Sequence, residues 1–540
     1  MFSSRRRAYL FVPLFIALCA IAAGLFTGGA MAAPASDDAI GQSFRSFTKV
    51  YDAVEQNFAD PVKAEKAVYN GAIPGMLHTL DPHSSFFDPK SYQAMRDDQR
   101  GHYYGVGMQV GPRNGKTVVM APFGGSPAYK AGLRPGDVII EVNEHQTEGL
   151  NTTEIAELLR GPRGTKVQVI VQREGAAQPI VVNLIRDEIP RPSVPVSFWA
   201  KPGIAYIQIT GFGETTSKEM EERLKKLGEK DVKGLVLDLR GNPGGLLGEG
   251  VDVASHFLRR NDLVVFHKGR NSPNKNYAAR SDGTGKEYPI VVLVNRSSAS
   301  AAEIVTGALQ DHDRGWVLGE NTFGKGLVQT VYPLSENTAL ALTTAHYYTP
   351  SGRLIQRDYS SISFLYYYTH NNLEQKNTAD VKMTDAGRTV YGGGGITPDE
   401  KYVSPLANKF QIEVKLRKYA IFSFATHYFS NHDTKLSRTW EPDEALVNDF
   451  HEFLLKNNVD FTEAEFTQNH DWIKGELKRE MYITAFSWED SLRVEKEFDP
   501  AVAKAIDSMP KAKALLENAK KLIVQRTNTS RPEQRVARSK

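Results

Sequence analysis

The sequence predicts an α/β protein of several domains, and three observations carry that prediction. The chain has 540 residues, 41% of them apolar and 10% aromatic, which is enough to bury sizeable cores but too long for one. From Pro202 onward, strand-like apolar runs alternate with helical patterns: "IAYIQI", a Glu- and Lys-rich helix, "GLVLDLR", "GEGVDVASHFL", "YPIVVLV" and "AEIVTGALQ". That alternation is the signature of layered α/β units. Helical periodicity flanks this region, at about 38–95 and again at about 406–523.

Taken in chain order, the first element is an export signal or anchor over residues 1–33. Arg5, Arg6 and Arg7 precede an apolar run from Ala8 to Phe26, and "AMAA" follows. Cleavage near Ala32 is expected; the run is long for a signal, so retention as an inner-membrane anchor is the alternative. The three arginines account for the whole formal charge of +3, leaving 63 basic against 63 acidic residues. A neutral body gives no electrostatic reason to bind nucleic acid. Cys19 is the sole cysteine and lies inside the signal. The rest of the chain therefore has no disulfide, thiolate nucleophile or cysteine metal site. Export places the protein in the bacterial cell envelope, in the periplasm, soluble or anchored.

Residues 36–96 carry apolar residues at helical spacing in "SFRSFTKVYDAVEQNF" and "KAEKAVYNGAIPGMLHTL", until "DPHSSFFDP" breaks the pattern with turn residues. Over 97–188 the texture changes to short strands ("YYGVGMQV", "KTVVMAPF", "DVIIEVN", "KVQVIVQR", "PIVVNLIR") and two short helices ("SPAYKAGL", "TTEIAELLRG"), closed by a proline-rich linker, "IPRPSVP". With Gly132, Pro135, Gly136, Asp137 and Asn143 in "SPAYKAGLRPGDVIIEVN", this stretch resembles a PDZ domain of the bacterial, permuted kind. Tyr104, Gly105, Val106 and Gly107 match the turn where such domains bind a free C-terminus. A glycine-rich turn exposes backbone N–H groups to a carboxylate, and the next strand edge pairs with the peptide. The alternative is a glycine turn that only closes a hairpin.

Within 189–405, Ser300 follows the strand "YPIVVLV" and opens the helix "AEIVTGALQ". Unpaired N–H groups at a helix start can hold an oxyanion, although a serine there is also an ordinary N-cap. Lys325 lies between two glycines in "TFGKGLVQ". Bare backbone on both sides admits close approach of another segment, and desolvation lowers a lysine pKa. A shift from about 10.4 to about 7.5 needs roughly 4 kcal/mol of differential interaction. A neutral amine can accept a serine proton. His256, His312 and His346 are the competing bases, but none has an acidic partner in a recognisable motif. "HTLDPH" does not have metal-ligand spacing. Residues 357–392 read as an inserted loop, 406–525 as a helical region and 526–540 as a disordered tail.

Ser300 and Lys325 are 25 positions apart, and Gln329 follows four later. "GAIPGMLHTLDPHSSFFDP", "LDLRGNPGG", "SASAAEI", "TFGKGLVQ", "HYYTPSGRLIQ" and "GGGGITPDE" together resemble the carboxyl-terminal processing, or tail-specific, proteases of serine peptidase family S41. The resemblance covers about residues 40–405. It implies a crotonase-like (ClpP/crotonase-type) layered protease core with the PDZ domain inserted. It implies Ser300 as nucleophile, Lys325 as general base and Gln329 orienting the lysine. Ala301 would supply one oxyanion N–H and Gly244 or Gly245 the other. Arg160, ending a PDZ helix, would couple tail capture to the protease, or else simply complement the helix dipole. Where the family often has a second serine after the nucleophile, this chain has Ala302. No metal or cofactor is implied. The partners implied are protein substrates with free apolar C-terminal tails; the terminal helices offer a homodimer contact, and an adaptor-bound assembly stays open. The alternatives are a PDZ scaffold or chaperone with an inactive hydrolase core, and acyl-CoA chemistry, which the export signal disfavours.

Overall fold

The computed structural model describes residues 37–529 except 282, 284–285, 361–366 and 368–376. The expected export segment thus lies outside the described residues. The chain divides into two units, residues 1–76 and 77–540. In the first, α1 (Asp37–Asn57) exposes Ile40, Phe44, Phe47, Val50 and Val54, spaced three or four apart along an apolar stripe. No helix among the described residues is long and apolar enough to cross a membrane.

The second unit opens with a strand where only turn residues were expected. β1 (Ser85–Phe87) sits inside "DPHSSFFDP" and pairs with residues 339–341. Three residues are too few for an alternating pattern to register in sequence. α2 (Pro89–Arg100) is started by the Asp88 side chain, which accepts from the Ser91 N–H, and is ended by Gly101 at φ 71°.

The PDZ region begins with β2 (His102–Gly105). A sheet follows, made of β3 (Met108–Arg113), β4 (Lys116–Pro122), β5 (Val138–Val142), β6 (His145–Gln146), β7 (Lys166–Gln172) and β8 (Ile180–Ile185). Its order is β3-β4-β5-β7-β8, with β6 on β5, so β3 is an edge strand. Alternate residues of β7 are buried, as a half-covered strand requires. α3 (Pro127–Lys130) and α4 (Thr152–Leu159) complete it, the latter held by an Asn151–Glu154 capping box. β9 (Asp187–Pro190) returns to pair with β2. The stretch read as a linker therefore starts inside a strand, with Ile189 buried.

The main core follows: β10 (Ser197–Lys201), β11 (Ile204–Gln208), α5 (Thr216–Leu227), β12 (Gly234–Asp238), α6 (Leu247–Ser255), β13 (Leu263–Lys268), β14 (Lys275–Ala278), β15 (Ile290–Val294), α7 (Ala301–Asp311) and β16 (Trp316–Gly319). β17 (Leu327–Pro333) and β18 (Ala339–Tyr348) form an antiparallel pair. β19 (Asn377–Met383) and β20 (Thr389–Gly392) make a hairpin within the segment expected to be only a loop. β21 (Glu400–Lys401) ends the region. The central sheet runs β10-β11-β12-β15-β16-β21, parallel from β11 on. Both faces are covered, which is why β12 and β15 are apolar and buried at nearly every position. Ile207, Leu237 and Val292 face α5, α6 and α7; Tyr206, Val236 and Val291 face the C-terminal helices.

Those helices include α8 (Ala420–Asn431), α9 (Glu444–Lys456), α10 (His470–Ala485), α11 (Trp488–Glu497), α12 (Pro500–Asp507) and α13 (Met509–Thr529). α13 runs into the expected tail, of which 530–540 lie outside the described residues. α8 to α10 share a core of their own around Phe424, Phe450 and Leu477. α8 also packs on the PDZ region. The Arg113 guanidinium lies 4.0 Å from the Tyr419 ring centre and 3.9 Å from that of Phe422. His427 Nδ1 lies 2.9 Å from Glu174 Oε1, and Gly136 leaves no room for a Cβ, which would fall 2.3 Å from Thr426 Cγ2.

Candidate active site

Ser300 stands at the turn from β15 into α7, with φ 53° and ψ −116°. L side chains rarely adopt that backbone conformation, so surrounding contacts must hold it. α7 supplies the first of these, since it is buried along its whole length. Glu303 on α7 supplies the second. Its Oε2 accepts from the Ser300 N–H at 2.8 Å and from the Lys325 N–H at 2.9 Å. Its Oε1 accepts from the Gly324 N–H at 2.7 Å and from the Thr322 hydroxyl at 2.5 Å. Burial raises the Glu303 carboxyl, and these four donors oppose that rise. The Tyr347 hydroxyl lies on the carbonyl oxygens of Ser300, at 3.1 Å, and of Lys325. One carboxylate and one phenol thus fasten together the backbones of two residues 25 positions apart.

Lys325 precedes β17. Its two glycines are needed because the segment 355–357 passes against them. A Cβ on Gly326 would lie 2.8 Å from the Gln356 N, and one on Gly324 (φ 87°) would lie 3.0 Å from Arg357 Cβ. The Lys325 amine donates to Gln329 Oε1 at 2.7 Å, and Gln329 Nε2 donates to the His83 carbonyl at 2.5 Å. Burial pushes the amine below the ordinary lysine value, against the pull of the Glu303 and Asp81 carboxylates. Among the described residues no hydrogen bond joins Lys325 Nζ to Ser300 Oγ. The lysine is held by its glutamine and is not in hydrogen-bond contact with the serine. Of the competing bases, His256 lies 3.0 Å from Ser217 Oγ, His312 is fixed between Asp385 and the Leu263 carbonyl, and His346 is a β18 residue opposite Leu327.

The two glycines proposed for the second oxyanion N–H separate clearly. The Gly244 N–H donates to Asn242 Oδ1 at 2.8 Å and is already occupied. The N–H groups of Gly245 and Ala301 have no acceptor among the described residues. Gly244 is instead the point of close approach: at φ 99° its Cβ would lie 2.6 Å from Ser300 Cβ and 2.9 Å from the Ala301 N. Asn242 braces the same junction, accepting from the Ala299 N–H through its carbonyl at 2.9 Å and donating through Nδ2 to the Ile209 carbonyl at 2.8 Å. Upstream, buried Asp238 holds Arg240, which reaches Asp499 at the start of α12 at 2.7 Å.

In the PDZ region, Tyr104 and Gly105 end β2, while Val106 and Gly107 turn into the edge strand β3. The Val106 carbonyl accepts from Ala128, and the Gly107 carbonyl from Phe123 and from the Ser126 hydroxyl at 2.7 Å. Neither the Val106 nor the Gly107 N–H has an acceptor among the described residues. Arg160 ends α4 beside this turn, with its guanidinium 5.3 Å from the Tyr103 ring centre. No contact between Arg160 and Ser300, Lys325 or Gln329 is present among the described residues.

Sequence reasoning did not assign Glu303, Tyr347, Asn242 or His83. Glu303 was within reach, because a serine followed three residues later by glutamate has capping-box spacing. The other three lie inside quoted motifs, "LDLRGNPGG", "HYYTPSGRLIQ" and "DPHSSFFDP", but nothing in those motifs told their parts in the site.

Residues 203–360 match the model of peptidase family S41, and residues 118–173 match that of the PDZ domain. A carboxy-terminal-processing protease of Bartonella bacilliformis is 38% identical over 314 residues, spanning 57% of this chain and 72% of that protein. The carboxy-terminal processing protease CtpA of Bacillus subtilis is 35% identical over 356 residues, spanning 65% and 76%. A carboxyl-terminal-processing protease of a Synechocystis species is 37% identical over 296 residues, spanning 54% and 69%. The family-model matches include Ser300, Lys325 and the PDZ strands from β5 to β7, and on that likeness and that of the relatives the chain belongs to peptidase family S41, among the PDZ-containing carboxy-terminal processing proteases.

Proposed function

We propose that the protein is an exported serine endopeptidase that captures the free C-terminal tail of a protein on its PDZ region and cuts the chain with Ser300 and Lys325. The observation that carries this reading is the lysine: partly desolvated, oriented by Gln329 and tied through Glu303 to the backbone of Ser300. Neutral Lys325 takes the Ser300 proton as Oγ attacks the scissile carbonyl, then returns it to the leaving amine; water clears the acyl-enzyme. The N–H groups of Ala301 and Gly245 receive the oxyanion, and losing one such donor typically costs about 2.7–4 kcal/mol of transition-state stabilisation. Proton transfer requires the lysine to come within hydrogen-bond reach of Ser300 Oγ when substrate is bound, as such contacts often tighten only in the complex. The parallel strands β11, β12, β15 and β16, with α5, α6 and α7 packed on one face, support the crotonase-like reading of the core.

Tail capture is supported by the unengaged N–H groups of Val106 and Gly107 beside an edge strand, the arrangement that lets a carboxylate-ended peptide add a strand. Arg160 adjoins that turn and is our candidate for coupling capture to cutting. The N-terminal segment 1–33 would deliver the protein to the periplasm, and the apolar stripe of α1 would be covered by a second copy.

The test is direct. Parent, Ser300→Ala and Lys325→Ala are incubated with an unfolded protein ending in apolar residues, and products are followed on a gel. Cleavage by the parent alone is expected. Cleavage by either variant at the parent rate would refute the assignment, and an inert parent that still binds the tail would favour a PDZ scaffold.

A further inference from the structure

The motif "DPHSSFFDP" takes no step in the proposed chemistry, yet the fold brings it to the general base. Gln329 Nε2 donates to the backbone carbonyl of His83 at 2.5 Å, across 246 positions of sequence. A carbonyl can only accept, so the amide nitrogen must face it and the amide oxygen must face Lys325. The orientation of Gln329, and with it the hydrogen bond to the lysine at 2.7 Å, is therefore decided by where the His83 carbonyl sits.

Asp81 decides where that carbonyl sits. The residue is 6% exposed. Its Oδ1 accepts from the N–H of His83 at 2.7 Å and of Ser84 at 2.8 Å, and its Oδ2 accepts from the Ser84 hydroxyl at 2.7 Å. An aspartate closing a turn over the next residues in this way fixes the local backbone. Ser84 Oγ also accepts from the Thr343 N–H at 3.1 Å, and Ser85 to Phe87 pair with 339–341. The turn is thereby moored to β18, the strand that pairs with Gln329's own strand, with Gln329 opposite Thr343. The His83 ring packs by its edge on the rings of Phe323 and Tyr367.

We propose that the Asp81–Ser84 turn is the positioning element of the general base, with Asp81 and Ser84 as positioning residues that act through the His83 carbonyl and Gln329 on Lys325. This rests on the Ser300–Lys325 reading. It gives the segment before the PDZ region a part in turnover distinct from tail capture. Burial, and next the Lys325 charge, hold the His83 imidazole down at about 4.

The experiment measures kcat and KM on the full chain with an unfolded substrate ending in apolar residues. It uses parent, Asp81→Ala, Asp81→Asn, Gln329→Ala, the Asp81→Ala/Gln329→Ala double variant, and Lys325→Ala. Asp81→Ala is expected to lower kcat by about 10- to 100-fold, the scale of a misplaced catalytic group, with KM nearly unchanged. Asp81→Asn, which keeps an acceptor for the two N–H groups, should recover most of that loss. The double variant should be no slower than Gln329→Ala alone, because both act on one path. Multiplying losses in the double variant, or full kcat in Asp81→Ala while Lys325→Ala is dead, overturns the proposal and leaves the Ser–Lys reading standing. Full activity in Lys325→Ala overturns that reading itself. Should Asp81→Ala fail to fold, Ser84→Ala takes its place: a lowered kcat that does not add to Gln329→Ala supports the proposal, and a parent-like kcat overturns it.

Discussion

At the scale of single residues, what distinguishes this site is how few side chains hold it. Glu303 receives four donors and joins the backbones of Ser300 and Lys325; any neutral replacement would leave buried N–H groups unpaired. Lys325 sits in opposed fields, with burial pushing its pKa down and Glu303 and Asp81 pulling it up. In the proposed mechanism the active form is the neutral amine, so kcat/KM should fall as pH drops through the lysine pKa and reach its plateau above it. Because the net shift is downward, the midpoint of the acid limb is expected below the ordinary lysine value of 10.5. A profile of log kcat/KM against pH checks this, and a midpoint at or above the ordinary value would exclude Lys325 as the base.

At the scale of elements, glycines set how closely loops approach. Gly244 carries no side chain because Ser300 occupies that space, with a Cβ placed 2.6 Å from Ser300 Cβ and φ at 99°. Gly244→Ala should push the "GNPGG" loop away from the start of α7 and misplace the Gly245 N–H. Turnover is expected to fall by about 10²-fold or more, the scale of a lost oxyanion donor, while PDZ tail-peptide affinity stays at the parent value. Kinetics together with peptide titration separate the two. Equal loss of tail binding would mean that the substitution unsettles the whole unit. Two of the strands missed in sequence are instructive here. β1 and β9 have three and four residues, and each exists because a partner strand is already in place.

At the scale of the second unit, the C-terminal helices have two tasks. α12 and α13 cover one face of the central sheet, and α8 grips the PDZ sheet through Arg113, whose guanidinium lies against Tyr419 and Phe422. Burial holds that guanidinium down at about 10 despite the attraction of Glu480. Each ring contact of this kind contributes about 0.5–2 kcal/mol. Arg113→Ala should therefore loosen the PDZ sheet from α8, and hydrogen exchange is expected to quicken in residues 108–113 and 419–430 while β12 and β15 stay protected. Unchanged exchange in both segments would show that the grip lies elsewhere.

The sequence by itself determined the α/β core, the PDZ strands and the two chemically marked positions, Ser300 and Lys325. Each of these is written locally, in hydrophobic period, turn residues or glycine flanks. Only the tertiary structure decided which Gly–Gly amide is unoccupied, that Glu303 and Tyr347 bind two distant loops together, and that the His83 carbonyl sets Gln329. The last two share a physical reason. A hydrogen bond between segments far apart in sequence depends on where folding brings the backbone, and no pattern in either segment alone encodes that meeting.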